Sequence, residues 1–308
     1  MNQDVSVFLK GLAMGAANVI PGVSGGTIAL ITGIYERLIN AIKRCDFHAA
    51  KLLLNRQFQD FWQYVDGRWL SSLLLGVALS IITLARLFEF LLADYERYTM
   101  AFFFGLILLS IVFVARKVDR WNIGTWSALA VGTAIAVSIA LLAPASENDN
   151  TLYIFLCGVL AISSMILPGL SGSFVLILMG NYALVLGAIS SLSFGVLIPL
   201  AIGCAFGLVA FSHVISWVFK RYANQTLALM TGFVIGSLVV IWPWKEAITR
   251  TVERVDKPPR EIVTSYQWFM PSFQESSTWI AILLIVLGAA AIALMERLAG
   301  DGNAASRN

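Results

Sequence analysis

One segment of this chain occurs twice. GLAMGAANVIPGVSGGTIALITGIYERLINAI, from Gly11 to Ile42, is answered without a gap by GVLAISSMILPGLSGSFVLILMGNYALVLGAI, from Gly158 to Ile189. Gly11, Pro21, Gly22, Ser24, Gly25, Gly33, Tyr35, Ala41 and Ile42 fall on Gly158, Pro168, Gly169, Ser171, Gly172, Gly180, Tyr182, Ala188 and Ile189. A weaker echo follows, with Gly76, Tyr95, Thr99, Gly105 and Ser110 matched by Gly203, Tyr222, Thr226, Gly232 and Ser237. A chain that repeats itself over most of its length is expected to fold as two related units.

The solvent of those units follows from composition. Of 308 residues 58% are hydrophobic and 13% charged, about half the charge of an ordinary soluble domain. Apolar runs near the membrane-spanning length of about 20 residues occur at Trp69–Leu92, Thr99–Ala115, Ile123–Ala143, Phe194–Phe219, Thr226–Trp242 and Trp279–Met295. Two more, at 5–42 and 152–189, are interrupted by Pro and Gly. The expected fold class is an all-α polytopic membrane protein with two inverted-topology repeats, each a re-entrant broken helical hairpin plus three transmembrane helices.

Inversion follows from the odd number of spans per half. The first repeat, 1–147, holds the hairpin 5–42, a polar connection 36–68 and three spans; the second, 148–308, holds the hairpin 152–189, three spans and a loop 245–278. Arg37, Lys43, Arg44, Lys51, Arg56, Arg68, Arg116, Lys117, Arg120, Lys220 and Arg221 then share one side, which the positive-inside rule makes cytoplasmic. Both termini fall on that side. The loop 245–278 lies outside despite Lys245, Arg250, Arg254, Lys257 and Arg260. The first residues lack the pattern of a cleaved signal peptide.

Each arm of the first hairpin, Gly11–Ile20 and Thr27–Glu36, has about ten residues, roughly 15 Å of helix or half the hydrocarbon thickness. The Pro21–Gly22 and Pro168–Gly169 breaks are therefore expected near the bilayer midplane, where irregular backbone must be buried or line a wet cavity. Helix starts expose several N–H groups and the positive dipole end. The amides of Ser24, Gly25, Gly26 and Thr27, with Ser171, Gly172 and Ser173 in the second copy, are expected to form two opposed anion sites without charged side chains.

Charged residues within or beside the spans are few. Arg86 approaches the outer edge of the hydrocarbon and suits a phosphate, or pairs with Glu89 three residues on. His213 stands at the matching place in the second half and has a titration range suited to proton coupling. Glu36 and Arg37 follow the first hairpin, whereas Ala183 and Leu184 follow the second; they are candidates for release or coupling. Trp62, Trp69, Trp121, Trp126, Trp242, Trp244 and Trp279 are expected in an interfacial belt. Cys45, Cys157 and Cys204 are too scattered for a disulfide framework or metal site. With His48 and His213 the only histidines, no nucleophile stands beside a base, so neither an enzyme, a metal nor a cofactor is expected, and no basic patch points to nucleic acid.

The residues GAANVIPGVSGGTIALITGIYERL, with ILPGLSGSFVLILMGNY in the second copy, resemble the bacterial polyprenyl-phosphate transporter family, long known only as a domain of unknown function. The resemblance covers nearly the whole chain. It implies a protein of the bacterial cytoplasmic membrane that returns undecaprenyl phosphate, the carrier lipid of envelope and peptidoglycan synthesis, from the outer to the cytoplasmic leaflet by alternating access. The partners it implies are that lipid and its membrane, with a proton or another ion as candidate coupler. The residues alone leave a small-anion transporter or channel open, and they fix no oligomeric state.

Overall fold

The computed structural model describes residues 3–19, 24–142, 145–254 and 257–304. Pro21 and Gly22, at the tip of the first expected break, lie outside the described residues.

The first copy of the repeat runs through α1 (Gln3–Val19), α2 (Gly25–Ile31) and α3 (Tyr35–Lys43). Two short helices follow, α4 (Phe47–Leu54) and α5 (Phe58–Tyr64), and then the long helices α6 (Gly67–Asp94), α7 (Glu96–Ala115) and α8 (Ile123–Leu141). The second copy runs through α9 (Thr151–Ile166), α10 (Gly172–Leu178) and α11 (Tyr182–Ser191), followed by α12 (Phe194–Arg221) and α13 (Ala223–Ser237). An antiparallel hairpin, β1 (Lys245–Arg254) and β2 (Lys257–Trp268), precedes α14 (Ser276–Ala304).

Helices prevail because a backbone in lipid must pair with itself. Among the described residues five are long and apolar enough to cross a membrane: Gly67–Leu84, Glu96–Ala115, Ile123–Leu141, Phe194–Arg221 and Ser276–Leu294. This is a multi-pass membrane protein. The sixth expected span, Thr226–Trp242, stops early. Its helix α13 has 15 residues and gives way to turns through Leu238 to Ile241, and Pro243 keeps Trp242 from resuming the helix.

Packing repeats as the sequence does. Helix α1 lies along α6 and α9 along α12, while α8 lies along α13 and α14 along α7. Each crossing is made by paired glycines. A Cβ on Gly11 or Gly76 would strike the backbone of the other helix, and the same holds for Gly158 and Gly203, which follow from them in the repeat. Gly132 with Gly232, and Gly105 with Gly288, serve the other two contacts. Small residues let membrane helices approach closely where apolar burial offers no driving force.

Four sequence expectations need correction. The second arm of each hairpin is not one helix: it breaks again at Gly33 (φ 72°) and at Gly180 (φ 74°), a left-handed conformation that favours glycine after a helix end. In the second copy α10 and α11 meet at 116°. The polar connection 36–68 is helical over much of its length, with Asp46 capping α4 by accepting from the Ala49 amide at 3.0 Å. The loop 245–278 carries the β-hairpin as an appendage to an otherwise helical membrane fold. Finally, two of the seven belt tryptophans are core residues, Trp69 and Trp244 being 4% exposed each.

Candidate functional site

The first break is closed on itself. Ser24 caps α2, its Oγ accepting from the Gly26 amide at 3.2 Å. The Gly25 amide donates to Asn18 Oδ1 at 2.8 Å, and the Thr27 amide to the Ser24 carbonyl at 2.9 Å. The expectation of freed amides at Gly25, Gly26 and Thr27 therefore fails in this conformation. The physical reason is that buried N–H groups must be paired, and Asn18, one helix back, supplies an acceptor.

The second break leans on the first. Its exposed backbone groups lie at the end of α9, and side chains of the first half meet them. Tyr35 donates its hydroxyl to the Ile166 carbonyl at 3.0 Å. Thr27 Oγ1 accepts from the Gly169 amide at 3.0 Å. The Ser24 hydroxyl faces the carbonyls of Met165 and Leu167 at 3.5 and 3.4 Å. Ser24, Thr27 and Tyr35 are all buried. Gly169 takes φ 83° and a Cβ there would meet the Phe233 backbone at 2.6 Å, which is why Pro168 is followed by glycine.

Beyond that brace the second turn stays open. Met165 occupies the repeat position of Asn18 and offers no oxygen, so Gly172 lacks the acceptor that Gly25 has. Ser171 does not cap its helix; its Oγ lies 2.8 Å from that of Ser173, which is exposed. Among the described residues the amides of Gly172, Ser173 and Phe174 make no hydrogen bond. Three N–H groups and one hydroxyl hydrogen thus remain unspent at the start of α10, where Gly172 is buried and Ser173 exposed.

The outer corners of the two copies differ as well. Lys10 donates to the Thr32 carbonyl at 3.0 Å, and Lys117 to those of Leu30 and Ile31, so ammonium groups hold the end of α2, the end of a helix dipole that favours cations. The matching end of α10 is held by neutral groups: the Ala145 amide on Leu178, at 2.7 Å, and the Tyr153 hydroxyl on Met179, at 2.9 Å. Asn181, fully buried, exchanges two hydrogen bonds with Asn148.

The remaining predicted residues are dispersed. Arg37 pairs with Asp66 at 2.7 Å and lies over the Trp69 ring at 4.9 Å, so it is anchored away from the breaks. His213 is exposed, with Nδ1 2.8 Å from the Val209 carbonyl. Glu36 is exposed on α3. Arg86 and Glu89 lie on α6, and their side chains fall outside the described set. Two apolar grooves lie on the surface of the bundle. One of about 460 Å³ runs between Phe104, Trp242, Trp268 and Phe269; another of about 530 Å³ runs between Leu91, Tyr98, Phe102 and Leu284. Among the described residues no three His, Cys, Asp or Glu side chains could share a metal ion.

Asn18 and Tyr35 are the residues that sequence reasoning missed. A signal for Asn18 was present: a polar residue in one copy stands against Met165 in the other. Tyr35 stands against Tyr182, whose hydroxyl makes no hydrogen bond among the described residues, so identity between copies concealed a difference in role.

Relatives extend the comparison. A polyprenyl-phosphate transporter of Vibrio cholerae is 39% identical over 294 residues, covering 94% of this chain and 95% of that protein. A polyprenyl-phosphate transporter of Staphylococcus aureus is 33% identical over 254 residues, covering 76% of this chain and 85% of its own. No solved structure matches the chain at a significant level. The family and both relatives are described by transport rather than catalysis. With the family model for undecaprenyl phosphate translocase-like proteins matching residues 14–257, the chain belongs to that family.

Proposed function

We propose that this protein moves a polyprenyl phosphate across the bacterial cytoplasmic membrane, carrying undecaprenyl phosphate from the outer to the cytoplasmic leaflet. The observation that carries the reading is the similarity, over 94% and 76% of the chain, to two transporters named for that substrate, on a chain whose two broken helices supply a place for an anion inside an apolar bundle.

The halves 1–147 and 148–308 act as inverted repeats with both termini cytoplasmic. The duplicated glycine crossings support the repeat, and the clustering of Arg116, Lys117, Lys220 and Arg221 at helix ends supports the orientation. The phosphate head is held first at the second turn, by Ser171, Gly172 and Ser173, where N–H and hydroxyl donors are unspent. Arg86 on α6 admits it from the outer face. The first turn, Ser24 to Thr27, braces the second and offers its own amides only when its internal bonds open in the opposite state of an alternating-access cycle. The polyprenyl tail stays in the apolar surface grooves, which favours a lipid over a small free anion. Glu36, Arg37 and His213 are secondary positions for release or proton coupling.

Reconstitution tests this. Purified protein in liposomes carrying undecaprenyl phosphate in one leaflet should equilibrate the lipid between leaflets, and replacing Ser171 and Ser173 together by Ala should slow it by about tenfold, the scale of one or two hydrogen bonds to a charged group. Unchanged flipping by that double variant removes the second turn as the site. Competition by inorganic phosphate as effective as by the lipid would favour a small-anion carrier.

A further inference from the structure

A cleft of about 170 Å³ lies between α3 of the first half and α12 of the second. Lys220, in the last turn of α12, stands at its wall. Glu36, Asn40, Ser216 and Lys220 line it, together with Tyr35 and Phe219, whose rings pack 6.0 Å apart.

Three observations give the cleft a role. Glu36 and Lys220 line the same space from opposite helices, yet among the described residues neither forms an ion pair. Opposite charges left apart in one cleft leave room for a third charged group between them. Asn40 Oδ1 receives the Ser216 hydroxyl at 3.4 Å, which leaves the Asn40 amide donors unspent in the cleft that Lys220 also lines. Tyr35, at the edge of the same cleft, holds the Ile166 carbonyl at the second break. Tyr35 thus links the cleft to the end of α9, just before the second break, and the cleft itself lies between the two halves.

We infer that this cleft is the inward station of the phosphate head group, resting on the transport reading above. Lys220 and Asn40 receive the phosphate monoester after it leaves the Ser171 turn. Glu36, a like charge to the phosphate, keeps the stay short, as a release site requires. A site built to retain phosphate would omit that carboxylate; a structural ion pair would close it onto Lys220.

The two charges predict opposite effects. With full-length protein in nanodiscs and farnesyl phosphate as the titrated probe, Lys220→Gln should weaken binding about fivefold and Glu36→Gln should tighten it by a similar factor, the scale of partly exposed charge contacts. Both variants should keep the thermal midpoint of the parent. If both weaken binding, or neither changes it while the parent binds, the cleft assignment is overturned and the transport reading stands. If the parent does not bind farnesyl phosphate, that reading fails too. Inorganic phosphate, titrated alongside, should bind at least about tenfold more weakly, since it lacks apolar area to bury; equal affinity would overturn the lipid ester as the ligand of the cleft.

Discussion

The Ser24 turn and the Ser171 turn share a Pro-Gly-x-Ser-Gly motif and differ in what they do with their hydrogen bonds. At the first, Asn18 and Ser24 satisfy the starting amides of α2 locally, and the turn is buried. At the second, Met165 replaces the acceptor, the amides stay open, and the carbonyls of the preceding helix end are held by residues of the other half. Duplication supplies two equal breaks, and a few substitutions divide them into a prop and a receptacle. A motif repeated in register is thus evidence for a shared backbone path and no evidence for a shared task.

That contrast can be broken at several points. The largest effect is expected at the outer glycines. Gly180→Ala forces a left-handed residue against the Ala145 carbonyl, whereas Gly33→Ala meets only the Lys117 side chain at 3.9 Å. Thermal unfolding in detergent should show a loss of about 3 kcal/mol or more for the former and about 1 to 2 for the latter; equal losses would mean the two corners are packed alike. Next, Asn18→Leu leaves the Gly25 amide without an acceptor and should cost about 1 to 3 kcal/mol, while Met165→Leu at the matching place should stay within about 1.5. Tyr35→Phe removes the hydroxyl that holds Ile166 and should cost about 1 to 2 kcal/mol. Tyr182→Phe should lie within about 0.5; a comparable loss there would restore symmetry between the halves. The smallest effect is the most informative. Met165→Asn would place a cap beside the Gly172 amide, leaving stability nearly unchanged and weakening polyprenyl phosphate binding about threefold, by competition for one hydrogen bond. Tighter binding in that variant would show that the open amides are not what the phosphate uses.

Much of the framework was legible because it is periodic. The repeat, the long apolar runs and the positions of both breaks can be read directly, since lipid permits few alternatives to helices and punishes interruptions. The early end of α13 carries no such mark, since Pro243 accounts for Trp242 leaving the helix but stands six residues beyond Ser237. The second break in each copy was marked by Gly33 and Gly180, aligned in the repeat, but a single glycine in an apolar helix is a weak sign until its dihedral is known. What could not be read was pairing across the halves. That Tyr35 reaches Ile166 and Thr27 reaches Gly169 depends on how two distant segments approach one another, and neither residue carries a local pattern that names its partner. The β-hairpin at 245–268 was hidden for a different reason: its charged residues obscure the alternation that a half-buried strand would show.

The direction of the cross-half bonds bears on how the chain is made. Synthesis delivers the first half to the membrane before the second exists. That half can settle at once, because its buried turn finds its acceptors within its own sequence. The second half cannot: the carbonyls at the end of α9 have their donors on Ser24, just before α2, and on Tyr35 of α3, and the Gly169 amide has its acceptor on Thr27 of α2, all already in place when α9 emerges. Earlier helices thus act as the template on which the later break is set, and a chain with its halves exchanged in order would present the dependent break to an empty bilayer.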